Sequence, residues 1–320
     1  METYVNTNDV IRIINAECND PFNILGMHFL YLYDKTESGT TDTIGMDNKL
    51  TSKAIAIRAF IPNAKNVRVI NLETSDLKDN RNSTCTKEYS GNNENMYGNN
   101  CNNKDYNYIY KNICNNIHGN NIYDNNIHDN TICDNTICDS GISCYEMIKI
   151  HENGFYEVLI YEREDFFMYN LEITDYCGNI YRIFDPYCFK PILSEYDLYL
   201  FNEGNNHKIY EKLGAHICSV NNVEGTVFAV WAPCARRVSV VGDFNQWDGR
   251  RHQMRNRQSS GVWEIFIPGI KEGIVYKYEI KTANNEIYIK SDPYAFYSEL
   301  RPNTASIVYN IDSYKWNDDE

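Results

Sequence analysis

The segment Val241-Gly242-Asp243-Phe244-Asn245-Gln246-Trp247-Asp248-Gly249 sets one indole in a turn made of glycine, aspartate and asparagine. A hydrophobic core does not ask for a tryptophan in so polar a setting. Exposed, it offers a flat apolar face that can stack on a sugar ring while nearby amides and charges hydrogen-bond the hydroxyls. Asn245 in the same turn and Lys277 in Tyr276-Lys277-Tyr278 are candidate polar partners. The competing reading is that Trp247 packs against a neighbouring domain.

Other reactive side chains carry less. His28 and His216 each close a Leu-Gly-x-His motif, Leu25-Gly26-Met27-His28 and Leu213-Gly214-Ala215-His216. Their paired occurrence points to holding a turn rather than to catalysis. Carboxylates are abundant, but none stands in a recognisable catalytic pair. His118, His128, Cys133 and Cys138 share one phase of a five-residue repeat, the pattern of possible zinc ligands. Their spacings match no common zinc motif, and a repeat duplicates every residue in it, so a surface loop without metal is the expectation. Catalytic residues, metal and cofactor are all expected to be absent.

The elements that must position Trp247 and Lys277 emerge from an internal repeat. After the Leu-Gly-x-His motifs come Ala59-Phe60-Ile61-Pro62-Asn63-Ala64 and Val230-Trp231-Ala232-Pro233-Cys234-Ala235. Next are Gly154-Phe155-Tyr156-Glu157 and Gly261-Val262-Trp263-Glu264, and each copy closes on Asp-Pro-Tyr, at Asp185 and at Asp292. The copies lie about 171 residues apart at Pro62 and Pro233 but about 107 apart at the later motifs, so the first carries about 64 extra residues. The excess falls at Thr74 to Ser143, whose asparagine-rich five-residue units hold one isoleucine each, too little apolar surface to offset chain entropy.

Both copies alternate apolar and polar residues, as in Val67-x-Val69, Val238-x-Val240, Tyr169-x-Leu171-x-Ile173 and Tyr276-x-Tyr278-x-Ile280. Short strands punctuated by Gly, Asn and Asp predict an all-β chain: two tandem immunoglobulin-like β-sandwich domains, the first with a long disordered Asn-rich insertion, and no (β/α)8 barrel. Helix is expected to be scarce, with Asp9 to Ala16 the best candidate and Asp9 a candidate N-cap. Trp231 and Trp263 align with Phe60 and Tyr156, so all four are assigned to the sandwich cores, and Trp247 has no counterpart.

Composition excludes some partners. The 320 residues carry a net charge of −14, which disfavours nonspecific binding to nucleic acid or an anionic membrane. No apolar run reaches the roughly 20 residues of a membrane span, and Met1 to Asn8 lacks a signal-peptide pattern. A cytoplasmic location follows as the expectation, and with it eleven cysteines present as free thiols, among them Cys18, Cys188, Cys218 and Cys234.

On these motifs the second copy resembles carbohydrate-binding module family 48, found in branching and debranching enzymes of the α-amylase family. Tyr210-Glu211-Lys212-Leu213-Gly214-Ala215-His216, Arg236-Arg237-Val238-Ser239-Val240-Val241-Gly242-Asp243-Phe244-Asn245 and Arg301-Pro302-Asn303-Thr304-Ala305-Ser306 are similar to bacterial glycogen branching enzymes in particular. Asp20-Pro21-Phe22-x-x-Leu25-Gly26-x-His28 resembles their extra N-terminal domain. The resemblance implies a branching-enzyme N-terminal domain at 1–208, with the insertion at about 75–145, and a family 48 module at 209–312. It also implies that residues 313–320, with Tyr314-x-Trp316-x-Asp318, lead into a catalytic barrel absent from these 320 residues. The whole enzyme would cleave an α-1,4 glucan and transfer the cut segment to a 6-hydroxyl by double displacement; this chain alone should be inactive.

Trp247 and Lys277 match the family's sugar-binding tryptophan and lysine. A second stacking tryptophan is missing, with Tyr288 or Ile289 in its place. The implied partners are glycogen or malto-oligosaccharide and a catalytic barrel on the same or a separate chain. The alternatives are a stand-alone glycogen-targeting or regulatory module and a truncated gene product.

Overall fold

The computed structural model describes residues 4–33, 50–72, 136–137, 143–161, 163 and 165–311. The four zinc candidates and most of the asparagine-rich span lie outside these residues. The span's last part is strand: Thr136–Ile137 (β4) pairs with Ser143–Glu146 (β5).

The first copy of the repeat folds into two antiparallel sheets. One orders Gly26–Tyr33 (β1), Leu50–Phe60 (β2), Phe155–Tyr161 (β7) and Ile148–His151 (β6) as β1-β2-β7-β6. The other adds Ala64–Asn71 (β3), Tyr169–Asp175 (β8) and Ile180–Phe184 (β9) in the order β4-β5-β3-β8-β9. Between them Ile55, Ile57, Val67, Val69, Tyr156 and Tyr169 form a buried core. The period-two alternation of the sequence is the cause, because successive strand side chains face opposite sides of the sheet.

The second copy repeats the plan. Gly214–Val220 (β10), Val223–Trp231 (β11), Val262–Pro268 (β14) and Arg255–Asn256 (β13) run β10-β11-β14-β13, the order of the first copy's sheet. Ala235–Gly242 (β12), Val275–Thr282 (β15), Ser306–Ile307 (β18) and Tyr297–Ser298 (β17) form the facing sheet, with Ile287–Lys290 (β16) also paired to β15. Its core joins Val238, Val240, Trp263, Tyr276 and Tyr278. Four antiparallel sheets and no barrel make the described residues all-β, as expected.

Each Asp-Pro-Tyr motif locks its sandwich in the same way. Tyr169 Oη donates to Asp185 Oδ2 and Tyr276 Oη donates to Asp292 Oδ2, both at 2.6 Å. The opposite carboxylate oxygens accept the main-chain N–H of Tyr187 and Tyr294. Burial raises both carboxyls above the ordinary range, Asp185 to about 6. The paired histidines hold turns, with His28 Nε2 2.9 Å from Leu25 O and His216 Nε2 3.0 Å from Leu213 O.

The structure corrects three expectations and adds one short helix. Helix α1 spans Thr7–Ile14 and is capped by Asn6, whose side chain accepts the Asn8 N–H; Asp9 sits in the first turn and pairs with Arg12. A second helix, α2, spans Glu195–Asn202, closed by a Ser194–Asp197 capping box. Trp231 is not a core residue. It is 52% exposed, whereas Phe60 is 5% exposed beneath Val10 and Ile13 of α1. The two strand ends correspond, but among the described residues no helix equivalent to α1 lies over the second copy's end; Phe201 of α2 meets Trp231 edge-on at 6.0 Å. Finally, Cys144 on β5 is disulfide-bonded, so the thiols are not all free. Pairing depends on the distance between sulfurs, which spacing along the chain does not reveal.

The two copies dock through residues 13–24 and 185–195. Arg237, fully buried, donates through Nε to Ala16 O and through Nη2 to Glu279 Oε1. Gln253 Nε2 donates to Ile13 O, and Arg255 lies 3.7 Å over the Phe22 ring. Phe189 meets Phe266 edge-on at 4.8 Å. Buried guanidiniums whose donors reach main-chain carbonyls and carboxylates fix one docking geometry, because a displaced arginine would be left desolvated and unpaired.

Candidate functional site

Strand β12 ends at Gly242, and its backbone passes so close to Val275 O that a Cβ there would lie 2.4 Å from it. The chain then turns over Asp243–Asn245. Asn245 fixes the turn from inside: its Oδ1 accepts the Gly242 N–H and its Nδ2 donates to Val240 O. The same Nδ2 lies 2.9 Å from His252 Nδ1. Since Nδ2 can only donate, that ring nitrogen accepts, and His252 is held neutral; burial lowers its pKa to about 3. Asn245 is 0% exposed. Its expected role as a sugar partner is therefore corrected: its donors and acceptor are already engaged in the turn, out of reach of a surface ligand.

Asn245 instead presents Trp247. Gln246 and Trp247 both adopt left-handed backbone conformations, φ 60° and 57°. Such a conformation in a bulky residue costs on the order of 1–3 kcal/mol and persists only where the surroundings impose it. Here the Trp247 N–H closes on Gly242 O at 2.9 Å, and Nε1 donates to Asp243 Oδ1 at 2.7 Å. The indole is thus tethered at both ends while remaining 37% exposed. Asp243 is a positioning residue that the sequence reading passed over, although it lies four residues before the tryptophan in the same motif.

Lys277 stands opposite Val241 on β15, on the outer face, because its neighbours Tyr276 and Tyr278 point into the core. Its Nζ donates to Thr304 Oγ1 at 2.8 Å. Thr304 precedes β18, and its carbonyl accepts a hydrogen bond from Ser291 Oγ. Farther along the same face, Arg237, Glu279 and Lys281 are covered by Ala16 and Glu17 of the first copy. Lys277, on the same face, stays partly exposed.

Register decides which residue takes the place of the missing tryptophan. Ile289 pairs with Glu279 and so shares the outer face with Lys277, while Tyr288 pairs with Ile280 and belongs to the opposite face. Ile289 is half exposed, but an aliphatic side chain gives no planar platform. Lys277 and Ile289 thus share this face, the Thr304 hydroxyl is bonded to the Lys277 ammonium, and Trp247 stands on the turn that follows the adjoining strand β12. An exposed indole can stack on a single sugar ring, and an ammonium or hydroxyl can hydrogen-bond at a ring's edge. Among the described residues no cluster of three or more His, Cys, Asp or Glu could hold a metal, and no helix is long and apolar enough to cross a membrane.

Comparison with known proteins agrees with both halves of the chain. Residues 6–88 match the family described as alpha-1,4-glucan branching enzyme GlgB, N-terminal domain, and residues 212–295 match carbohydrate-binding module 48 (isoamylase N-terminal domain). The 1,4-alpha-glucan branching enzyme GlgB of Synechococcus elongatus is 54% identical over 176 residues, covering 54% of this chain and 22% of its own length. That of Thermosynechococcus vestitus is 53% identical over 178 residues, covering 55% and 23%. That of Rubrobacter xylanophilus is 52% identical over 176 residues, covering 55% and 24%. A solved pullulanase from Bacillus acidopullulyticus is 19% identical with a TM-score of 0.27, over 50% of this chain and 18% of that one. The chain spans under a quarter of the length of these branching-enzyme relatives. By its domains and its relatives, the chain is similar to the N-terminal region of the bacterial 1,4-alpha-glucan branching enzymes, with a carbohydrate-binding module 48 as its second unit.

Proposed function

We propose that the chain is the N-terminal glucan-binding and positioning part of a 1,4-α-glucan branching enzyme of glycogen biosynthesis. Residues 209–312 bind an α-glucan chain through Trp247 and Lys277. Residues 1–208 hold that module in a fixed orientation, and residues 313–320 lead toward a catalytic barrel carried on the same or a separate polypeptide. Binding near the barrel raises the local concentration of substrate chains, as for any tethered pair of sites.

The observation that carries this reading is the Trp247 turn. A bulky residue held in a strained left-handed conformation, with its indole N–H tied back to Asp243 and its face open, is arranged for contact rather than for packing. Native gel electrophoresis in glycogen-containing gels tests it. Retardation of the wild-type chain, reduced in Trp247→Ala, is expected; equal mobility with and without glycogen would sink the proposal.

A further inference from the structure

A cleft of about 480 Å³ opens between the two units. Ile61, Tyr181 and Ile183 line it from the first unit, and Phe244, Arg251 and His252 from the second. Trp247 is not among the residues that line it, so the cleft is separate from the Trp247 strip.

Three side-chain donors of this lining have no partner. Arg251 makes no ion pair, and its guanidinium no hydrogen bond, among the described residues. Its charge acts on the Tyr181 hydroxyl and on the His252 ring, so the three groups are electrostatic neighbours. The Tyr181 hydroxyl makes no hydrogen bond among the described residues either. Burial raises its pKa and the Arg251 charge draws it partly back, so it stays a protonated donor. His252 is neutral and accepts at Nδ1 from Asn245, which puts its proton on Nε2. That N–H meets no acceptor among the described residues. None of these donors is a sealed atom, because the buried polar atoms that lack a partner belong to other residues.

The carboxylates around Arg251 are engaged elsewhere. Asp248 holds Arg250 through both of its oxygens. Asp185 accepts from Tyr169 Oη and the Tyr187 N–H. Asp175 accepts the N–H groups of Cys177 and Asn179 and the Asn179 side-chain amide. Those bonds, the one from the Asn179 side chain foremost, lower its pKa and keep it ionised, and it too lines the cleft. Arg251 is therefore left with a full charge and no counter-charge, beside two further donors. A guanidinium in that state is suited to a planar or tetrahedral oxyanion, which it can grip through two parallel N–H groups. The rest of the named lining, Ile61, Ile183 and Phe244, is apolar, and the volume is that of a site for a small organic molecule rather than a bare ion.

We propose that this cleft binds a small organic anion. Arg251 holds its phosphate or carboxylate group, Tyr181 and His252 donate to the same group, and its apolar body lies against Ile61, Ile183 and Phe244. Arg251 and His252 come from one unit and Tyr181 from the other, so the ligand bridges the two. The site does not depend on glucan binding at Trp247.

Isothermal titration of the whole chain at low salt with phenyl phosphate, benzoate and inorganic phosphate tests the proposal. Phenyl phosphate or benzoate should bind at millimolar concentration or below, and the tighter of the two identifies the oxyanion. Inorganic phosphate should bind more weakly than phenyl phosphate. Arg251→Leu should weaken binding by about tenfold or more, and Tyr181→Phe by about three- to tenfold, the scales of a charged and a neutral hydrogen bond. Asp175→Asn removes a negative charge from the lining and should tighten it. Urea melts of Arg251→Leu and Tyr181→Phe should match the wild type, since the groups they remove have no hydrogen-bond or ion-pair partner in the fold. Binding that Arg251→Leu leaves unchanged, or no binding of any of the three anions at millimolar concentration, overturns the site. Equal affinity for inorganic phosphate and phenyl phosphate overturns the organic ligand.

Discussion

At the scale of single residues, Trp247 and Trp263 separate the two uses of an indole. Trp263 is 1% exposed, packs among Val230, Ile265 and Tyr278, and donates Nε1 to Ala232 O. Trp263→Ala removes that volume from a closed core and should destabilise the chain by about 3–5 kcal/mol in a urea melt. Trp247→Ala should leave the midpoint nearly unchanged. Asp185 gives a pH dependence of known sign. Its folded pKa of about 6 lies above the ordinary carboxylate value, so the fold favours its protonated form. That stabilisation is complete below about pH 4 and is lost as pH rises through about 6, on the order of 2–3 kcal/mol in all. Asp185→Asn cannot ionise. Urea melts from pH 4 to 7 should show the variant gaining on the wild type as pH rises; a constant difference would contradict the buried, protonated carboxyl.

At the scale of elements, the strands and their pairing were legible because alternation is a local signal and the repeat shows it twice. Helix α2 was not, because Tyr196, Leu198, Tyr199, Leu200 and Phe201 do not fall on one helical face. Its Ser194–Asp197 capping box was the signal available. The place of Trp231 is not legible because the repeat shows which positions correspond, not what covers them: α1 lies over Phe60, and among the described residues no helix equivalent to it lies over Trp231. For the same reason the repeat could not show that Asn245 faces inward. The segment between the sandwiches is held by Arg257, which donates to Leu193 O and to both Glu264 and Glu195, while Glu264 accepts the Ile192 and Leu193 N–H groups. Arg257→Leu leaves Glu264 buried without its cation and should cost about 3 kcal/mol. Amide exchange at Leu193 should accelerate with it; unchanged protection there would mean that the segment is held by packing alone.

At the scale of the whole molecule, the two sandwiches are legible as a repeat, but their docking is not, since Arg237, Gln253 and Arg255 each find partners more than 60 residues away. That docking decides the site. It covers Arg237, Glu279 and Lys281 of the outer face and leaves Lys277 and Ile289 partly exposed, so the exposed strip is set by the first unit as well as by the second. With a single aromatic plane on that strip, affinity should be weak. Isothermal titration of the chain with maltoheptaose tests this most directly. A Kd in the high-micromolar to millimolar range is predicted, about −4 to −6 kcal/mol. Trp247→Ala should weaken binding at the Trp247 strip by about 1–2 kcal/mol, without lowering the melting temperature. Wild-type binding that Trp247→Ala and Lys277→Ala both leave intact, or no binding at millimolar sugar, would contradict the account.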